Sequence, residues 1–278
     1  MENEVRKIQL KCLEILDIVD KICRKHGINY SLCGGSVVGA HLYGGCLPWD
    51  DDVDLMMTRE NYNKFLSIIQ SELPEGFSVN NYLFSEEFTS TFTKITNDNT
   101  TIVQTDGTVS GIFLDITVYD KVPNSFLKHI DILFWKLSQI VQIGVVEPRS
   151  IKDRIRNIVL KLFFIDKRKY LLWFQKVVIF FSNSKKYHYS ELFGAYCNTL
   201  PFDAQIFENY TEIEFENKKY MIVRDYIKYL QTRYNRTDFR EPKEKQVAPH
   251  YTLVDFSLPY QAYLQKKEEQ KNKLENKE

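Results

Sequence analysis

The chain has 278 residues, 44% of them hydrophobic and 27% charged, a composition that supports a sizeable globular core and argues against a disordered or fibrous chain. Lys plus Arg and Asp plus Glu each total 37, so net charge gives no ground for a polyanionic partner, and no nucleic acid is expected. The five cysteines are odd in number and lack CxxC spacing, which speaks against a disulfide scaffold and for reduced, packed thiols.

The chain opens on a charged stretch, Met1 to Lys7, unlike a signal peptide. From about Val5 to Lys25, apolar residues recur at Ile8, Cys12, Ile15, Leu16, Val19 and Ile22-Cys23. That spacing predicts a helix with one buried stripe, stopped by Gly27. A short strand is expected over Ile28 to Cys33. It breaks at Gly34-Gly35-Ser36 and continues as an apolar helix from Val37. A strand–Gly–Gly–Ser–helix turn lets backbone N–H groups approach an anion at a helix start.

After a glycine-rich turn come four acids, Asp50, Asp51, Asp52 and Asp54, followed by Leu55-Met56-Met57. An acid cluster alone is usually a solvated loop. Here Pro48-Trp49 precede it and an apolar run follows, which fits a strand entering a core. On an extended strand Asp52 and Asp54 point to one face, with Asp51 opposite and Asp50 ahead of the strand. Two carboxylates on one face repel unless a cation lies between them, and oxygen ligands of this kind suit Mg²⁺.

Thr58 caps a predicted helix reaching about Gln70, with Tyr62, Phe65, Leu66 and Ile69 inward. Phe77 to Val103 reads as strands, with Asn97-Asp98-Asn99 as a turn between two of them. Gly111 to Tyr119, GIFLDITVY, is a strand with Asp115 inside an apolar run. A carboxylate there is costly unless paired or metal-bound. The alternatives are a satisfied structural Asp, capping a loop or pairing a Lys, and a third metal ligand beside Asp52 and Asp54.

Helices are expected over Asn124 to about Gly144, Ile151 to Phe164 and Lys167 to Phe181. The second gathers Ile151, Ile155, Ile158-Val159 and Leu162-Phe163 on one face. From Arg149 to Lys186 there are eleven basic residues against two acids, Asp153 and Asp166. This segment is either a helical cap with a solvated basic face or a surface that meets an anionic membrane. No apolar run is long enough to span a bilayer, so a cytoplasmic protein is expected, with contact at the inner membrane face under the second reading. Tyr210–Phe215 and Lys219–Val223 alternate around Glu216-Asn217-Lys218 as a hairpin, and a helix from about Arg224 to Tyr234 follows. His250 closes a polar loop and could reach a phosphate or a substrate hydroxyl, though a lone loop histidine is more often a surface residue. The tail after Gln261 is charged and reads as a frayed helix or disordered.

The blocks INYSLCGGSVVGA, LPWDDDVDL, TRENYNKF, FTKITNDNT and GIFLDITVYDKVP resemble, in order and spacing, the LicD family of phosphotransferases, relatives of the fukutins within the nucleotidyltransferase-like superfamily. The resemblance covers roughly residues 5 to 125. It implies an α/β (α+β) fold: a nucleotidyltransferase-like mixed sheet with flanking helices, a helical insertion and a C-terminal hairpin and helix. The division expected is a catalytic core over 1–125, a basic apolar helical segment over 126–190, a part completing the fold over 191–260 and a charged tail over 261–278.

The resemblance further implies Mg²⁺ (or Mn²⁺) and transfer of a phosphorylated alcohol, phosphocholine from CDP-choline being the best-known case. The donor would be a CDP-alcohol and the acceptor a glycan or lipid-linked saccharide. Carried over, Gly34, Gly35 and Ser36 form the phosphate-side turn. Asp52, Asp54 and Asp115 hold the metal, and Asp115 also accepts the proton of the attacking hydroxyl as CMP leaves. Lys94 occupies the family's basic position toward a phosphate. In one departure, Leu42 stands in HLYGG where the family commonly has an Arg. The same acids would serve a nucleotidyltransferase acting on a small hydroxylated substrate, and a non-catalytic glycan- or membrane-binding relative is the third reading.

Overall fold

The computed structural model describes residues 2–85, 92–123, 150–162, 167–181, 186–192, 201–239 and 250–275, with isolated positions at 88, 136, 140, 147 and 148. Helix α1, Glu2–Lys25, buries the stripe anticipated from its periodicity, from Ile8 to Cys23. Gly27, at φ +61°, ends the segment in the left-handed region that glycine adopts without penalty. The next strand, β1, is confined to Ser31–Leu32, shorter than the expected Ile28–Cys33, and α2 begins at Gly34 itself and runs to Tyr43.

The sheet is mixed, as expected of an α/β fold. Its remaining strands are β2 Asp54–Thr58, β3 Phe77–Asn80, β4 Thr93–Gln104, β5 Val109–Pro123, β6 Tyr187–Ser190 and β9 Tyr251–Asp255. The order is β1-β2-β5-β4-β3, with β6 added to β5 and β9 to β4. β2 and β5 are parallel, and the other pairs are antiparallel. The expected turn at Asn97-Asp98-Asn99 is not a turn. β4 runs through it, with a bulge where its register against β5 shifts between Asn97 and Ile102. Thr100 makes this possible: its Oγ1 accepts the Ile112 N–H at 2.8 Å and donates to the Asn97 carbonyl at 2.7 Å, replacing ladder bonds with side-chain ones.

Alternation along β5 puts Asp115 and Tyr119 on one face and Leu114 and Asp120 on the other. Helix α3, Arg59–Glu72, covers the second face. Its Tyr62 hydroxyl lies 2.6 Å from Thr93 Oγ1, and Arg59 makes a two-pronged ion pair with Asp120 at 2.7 and 2.9 Å. Over the Tyr119 face lie the short 3₁₀ turn Ala204–Phe207 and α6, Tyr226–Tyr234, through ring contacts of Tyr119 with Phe207 and Tyr229. The hairpin β7 Tyr210–Phe215 and β8 Lys218–Val223 turns through Glu216 and Asn217, both at positive φ, as a two-residue hairpin loop requires. It packs on α1, where Tyr220 and Lys218 both reach Asp17.

Helices α4, Ile151–Leu162, and α5, Lys167–Phe181, follow the expected bounds closely, whereas the helix expected over Asn124 to Gly144 lies outside the described residues. The charged tail forms a helix, α7, Tyr260–Glu275. One hydrophobic core runs from Ile8 to Tyr251. Cys12, Cys23, Cys33 and Cys46 are free and buried in it, in keeping with packed thiols. Among the described residues no helix is long and apolar enough to cross a membrane.

Candidate active site

The Gly-Gly-Ser turn is built for close approach. Gly34 has φ +52°, and a Cβ on it would lie 3.5 Å from Asp54 Oδ2 and 3.7 Å from Arg233 Nε. A Cβ on Gly35 would lie 2.6 Å from Asp50 Oδ2, inside any real contact distance. The two glycines thus let carboxylates crowd the start of α2. Two of the turn's N–H groups are engaged within the protein. The Gly34 N–H donates to the Tyr229 hydroxyl at 3.1 Å, the Ser36 N–H to the Cys33 carbonyl at 3.0 Å, and Ser36 Oγ accepts the Asp54 N–H at 2.9 Å. Ser36 therefore ties the turn to β2.

The acid block also departs from strand geometry. β2 begins only at Asp54, so residues 50–53 do not follow the alternation that separated Asp51 from Asp52. Their path is set by Gln9, a buried amide on α1 whose Nε2 donates to the carbonyls of Leu47 and Asp50 at 2.9 and 2.8 Å. His250 then holds the Asp51 carboxylate from the other side, through its backbone N–H at 3.1 Å and its Nδ1 at 3.0 Å. Asp51, Asp52 and His250 each offer a ligand atom within 4.8 Å of the others, a set able to hold a metal ion. Asp54 and Asp115, expected to join Asp52, are not in that set but stand beside it.

Asp54, Asp115 and Lys94 form a row across the sheet. Asp54 and Asp115 are register partners between β2 and β5, and Lys94 and Asp115 between β4 and β5. Lys94 Nζ is 2.9 Å from Asp115 Oδ1 and 3.3 Å from the centre of the Phe113 ring. The structural pairing weighed for Asp115 is therefore present, with Lys94 as the partner. Asp51, Asp52, Lys94, Phe92, Asp115 and His250 line one cavity of about 310 Å³.

Burial and neighbouring carboxylates raise Asp50, Asp52 and Asp54. Burial, then Asp52 and Asp51, push Asp50 up to about 8. Burial, then Asp115 and Asp51, push Asp52 up to about 6. Burial, then Asp52 and Asp115, hold Asp54 well above the usual carboxylate range, while Arg233 opposes. Such a group binds its proton more tightly in the folded than in the unfolded chain. Its contribution to stability is fully present below the unfolded carboxylate pKa and is lost as pH rises through the folded value. In EDTA, the melting temperature is therefore expected to fall between about pH 5.5 and pH 8 more steeply in the wild type than in Asp50→Asn. Mg²⁺, which favours ionised carboxylates, is expected to flatten the wild-type slope. Equal slopes for the two proteins in EDTA would remove this carboxylate repulsion from the account.

Three further residues complete the site and were not singled out from the sequence: Gln9, Glu191 and Arg233. Arg233, on α6, pairs with Glu191 and donates to the Tyr119 hydroxyl at 3.0 Å. Tyr119 in turn donates to Glu191 at 3.2 Å, and its hydroxyl lies 3.4 Å from that of Tyr229, which receives the Gly34 N–H. This buried network puts a guanidinium at the Gly34 turn, near Asp54, while Leu42 occupies the position where the related family commonly carries an Arg.

Residues 27–132 match the sequence model of the LicD/FKTN/FKRP nucleotidyltransferase domain. The match contains the turn, the acid block, Lys94 and Asp115, and leaves Gln9, Glu191, Arg233 and His250 outside it. The chain is also similar to the lipopolysaccharide cholinephosphotransferase LicD of Haemophilus influenzae. The two are 28% identical over 263 residues, which cover 91% of this chain and 98% of that protein.

Proposed function

We propose, from the premise that residues 27–132 are a LicD-family nucleotidyltransferase domain, that this protein is a phosphotransferase moving phosphocholine from CDP-choline to a hydroxyl of a lipopolysaccharide-type glycan. The observation that carries this reading is the crowding of carboxylates at one cavity: Asp51, Asp52 and Asp115 line it, and Asp50 and Asp54 stand close enough to be coupled to them, with Asp50 and Asp52 driven up by burial and by their neighbours. Such crowding is unfavourable without a cation, and the donor set is carboxylate oxygen with one imidazole. It fits a hard divalent ion, Mg²⁺ or Mn²⁺. Asp52 and Asp54, with Asp115, would hold it, and Asp51 and His250 offer a converging pair at the same place. When bound, the ion would supply neutralisation of the donor's diphosphate charge.

The rest is performed by side chains of this chain. Lys94, which lines the cavity, would meet a non-bridging phosphoryl oxygen with its ammonium. Asp115, in contact with it, accepts the proton of the acceptor hydroxyl as that oxygen attacks the phosphorus bearing choline. The P–O bond to the CMP phosphate breaks and CMP leaves. Phe92 and Phe113 supply aromatic surface to the cavity, and Phe113 already carries an ammonium on its face, the interaction by which a trimethylammonium group is recognised.

Thermal shift tests the donor. CDP-choline with Mg²⁺ is expected to raise the melting temperature more than CDP-glycerol or CDP-ribitol does, and none should act in EDTA. Equal stabilisation in EDTA would overturn the metal-bridged diphosphate. The matched domain's description also favours a second reading, transfer of a whole nucleotide. Product analysis separates the two: CMP release accompanies phosphocholine transfer, and pyrophosphate release accompanies nucleotidyl transfer from a nucleoside triphosphate.

A further inference from the structure

The sequence gathers Ile151, Ile155, Ile158 and Val159 on one face of α4, the pattern of a helix packed on a core. In the structure that face looks outward. Among the described residues, the large apolar side chains more than half exposed are Ile151 at 76%, Ile155 at 57%, Ile158 at 56%, Trp173 at 55% and Phe180 at 75%. All five lie on α4 and α5. The feature is concentrated, and scattered surface apolar residues would not produce it.

Helix α5 shows how such a face is held. Leu171 and Phe174 are buried, and Tyr170 stacks on Phe174. Arg168 Nε donates to the Tyr82 carbonyl at 2.9 Å, and the Tyr82 hydroxyl donates to Gln175 at 3.1 Å. With one side so anchored, the opposite side carries Lys169, Trp173, Lys176 and Phe180, all exposed, at helical spacings of four, three and four. Ammonium and aromatic groups alternate along it. On α4, Lys152, Arg154 and Lys161 are exposed around the isoleucines, and the helix's acid, Asp153, is paired with Arg156 at 3.0 Å.

We propose that α4 and α5 dock on an anionic lipid bilayer, with their isoleucines, Trp173 and Phe180 in the headgroup–acyl boundary and their lysines and Arg154 at the phosphates. Charge complementarity selects this occupant. The segment from Arg149 to Lys186 holds eleven basic residues against two acids in a chain whose basic and acidic residues total 37 each, so the rest of the chain is net acidic and the positive charge is local. Aromatic and aliphatic groups interleaved with long cations suit an interface that is apolar on one side and anionic on the other. Length rules out spanning: the 12 and 15 residues of α4 and α5 rise about 18 and 22 Å, against about 30 Å of hydrocarbon. The helices lie on the bilayer. The inference is independent of the transfer reaction, since none of these residues lines the cavity.

Co-sedimentation of the full chain with vesicles tests it. Vesicles of phosphatidylcholine with phosphatidylglycerol are expected to pellet the protein at low salt, and phosphatidylcholine alone to bind at least tenfold more weakly. Raising the salt should weaken anionic binding at least tenfold. Ile155→Ser/Trp173→Ser and Lys152→Gln/Lys176→Gln replace exposed side chains. Both should melt like the wild type, and each should bind anionic vesicles at least tenfold more weakly. Failure to pellet with anionic vesicles at either salt overturns the proposal, as does undiminished binding by folded variants. Self-association that both variants abolish, in a protein that ignores vesicles, would assign the face to a second copy instead.

Discussion

Replacing Asp54 by Asn is expected to lower transfer by about two to three orders of magnitude while the protein still folds. Phosphoryl transfer relies on positioning and charge neutralisation rather than on covalent chemistry by the protein, and removing one such element costs about this much. Asn keeps the shape of the side chain and its place next to Gly34, and it removes one of the mutually repelling carboxylates. Stability without metal should therefore hold or rise. Asp52→Asn should behave alike, because its carboxyl is raised by Asp115 and Asp51 after burial. Asp115→Asn differs, since it also leaves Lys94 without its ion pair. Turnover should fall as far, with more donor binding retained, if the carboxylate's second task is to take the acceptor's proton. Asp51→Asn and His250→Ala decide between ligand sets. If Asp51, Asp52 and His250 hold the ion, both variants lose the Mg²⁺-dependent rise in melting temperature. If Asp52, Asp54 and Asp115 hold it, both keep most of it, and Asp54→Asn loses it. Near-normal transfer by folded Asp52→Asn and Asp54→Asn would sink the metal site and the activity together.

What could be read from the sequence here was local. The amphipathic α1, the break at Gly34-Gly35, the acid block and the Asp115 strand all announce themselves through periodicity, through glycine and through charge inside an apolar run. Partnerships across the chain do not. Gln9 sits among core positions of α1, and nothing in the sequence says that its amide holds the loop 41 residues later. Asp51 was placed opposite Asp52 by strand alternation, but that alternation needs a strand, and the segment before Asp54 is shaped by Gln9 and His250 instead. Asn97-Asp98-Asn99 has turn composition, and the Thr100 hydroxyl lets a strand continue through it. The apolar stripe of α4 gave the helix and its face correctly but could not say that the face looks outward. Arg233 lies on a short helix rich in polar residues, where an arginine reads as solvent-exposed.

Arg233→Met is expected to have the largest effect on folding. The Arg233 and Glu191 side chains are only 12% and 2% exposed, so removing the cation breaks a buried ion pair from one side while the Tyr119 hydroxyl stays beside Glu191. Breaking a buried pair from one side costs about 3–5 kcal/mol, a large part of the stability of an ordinary domain. Urea titration should show the midpoint falling sharply with an unchanged slope. Adding Glu191→Gln removes the other half of the pair, and the double variant is expected to recover most of the loss, since a pair removed whole is often nearly neutral. Function should not return with the fold. Asp54 would still lie among Asp52, Asp115 and Asp50 without the guanidinium that opposes their repulsion. The refolded double variant should therefore bind CDP-choline and Mg²⁺ more weakly than the wild type and transfer poorly. Arg233→Lys separates charge from shape: a lysine restores the cation but not the planar fork that reaches both Glu191 and Tyr119. It should recover part of the stability and part of the metal response. A double variant that folds and transfers like the wild type would show that Arg233 serves the fold alone, leaving the Gly34 turn to manage its carboxylates without a guanidinium.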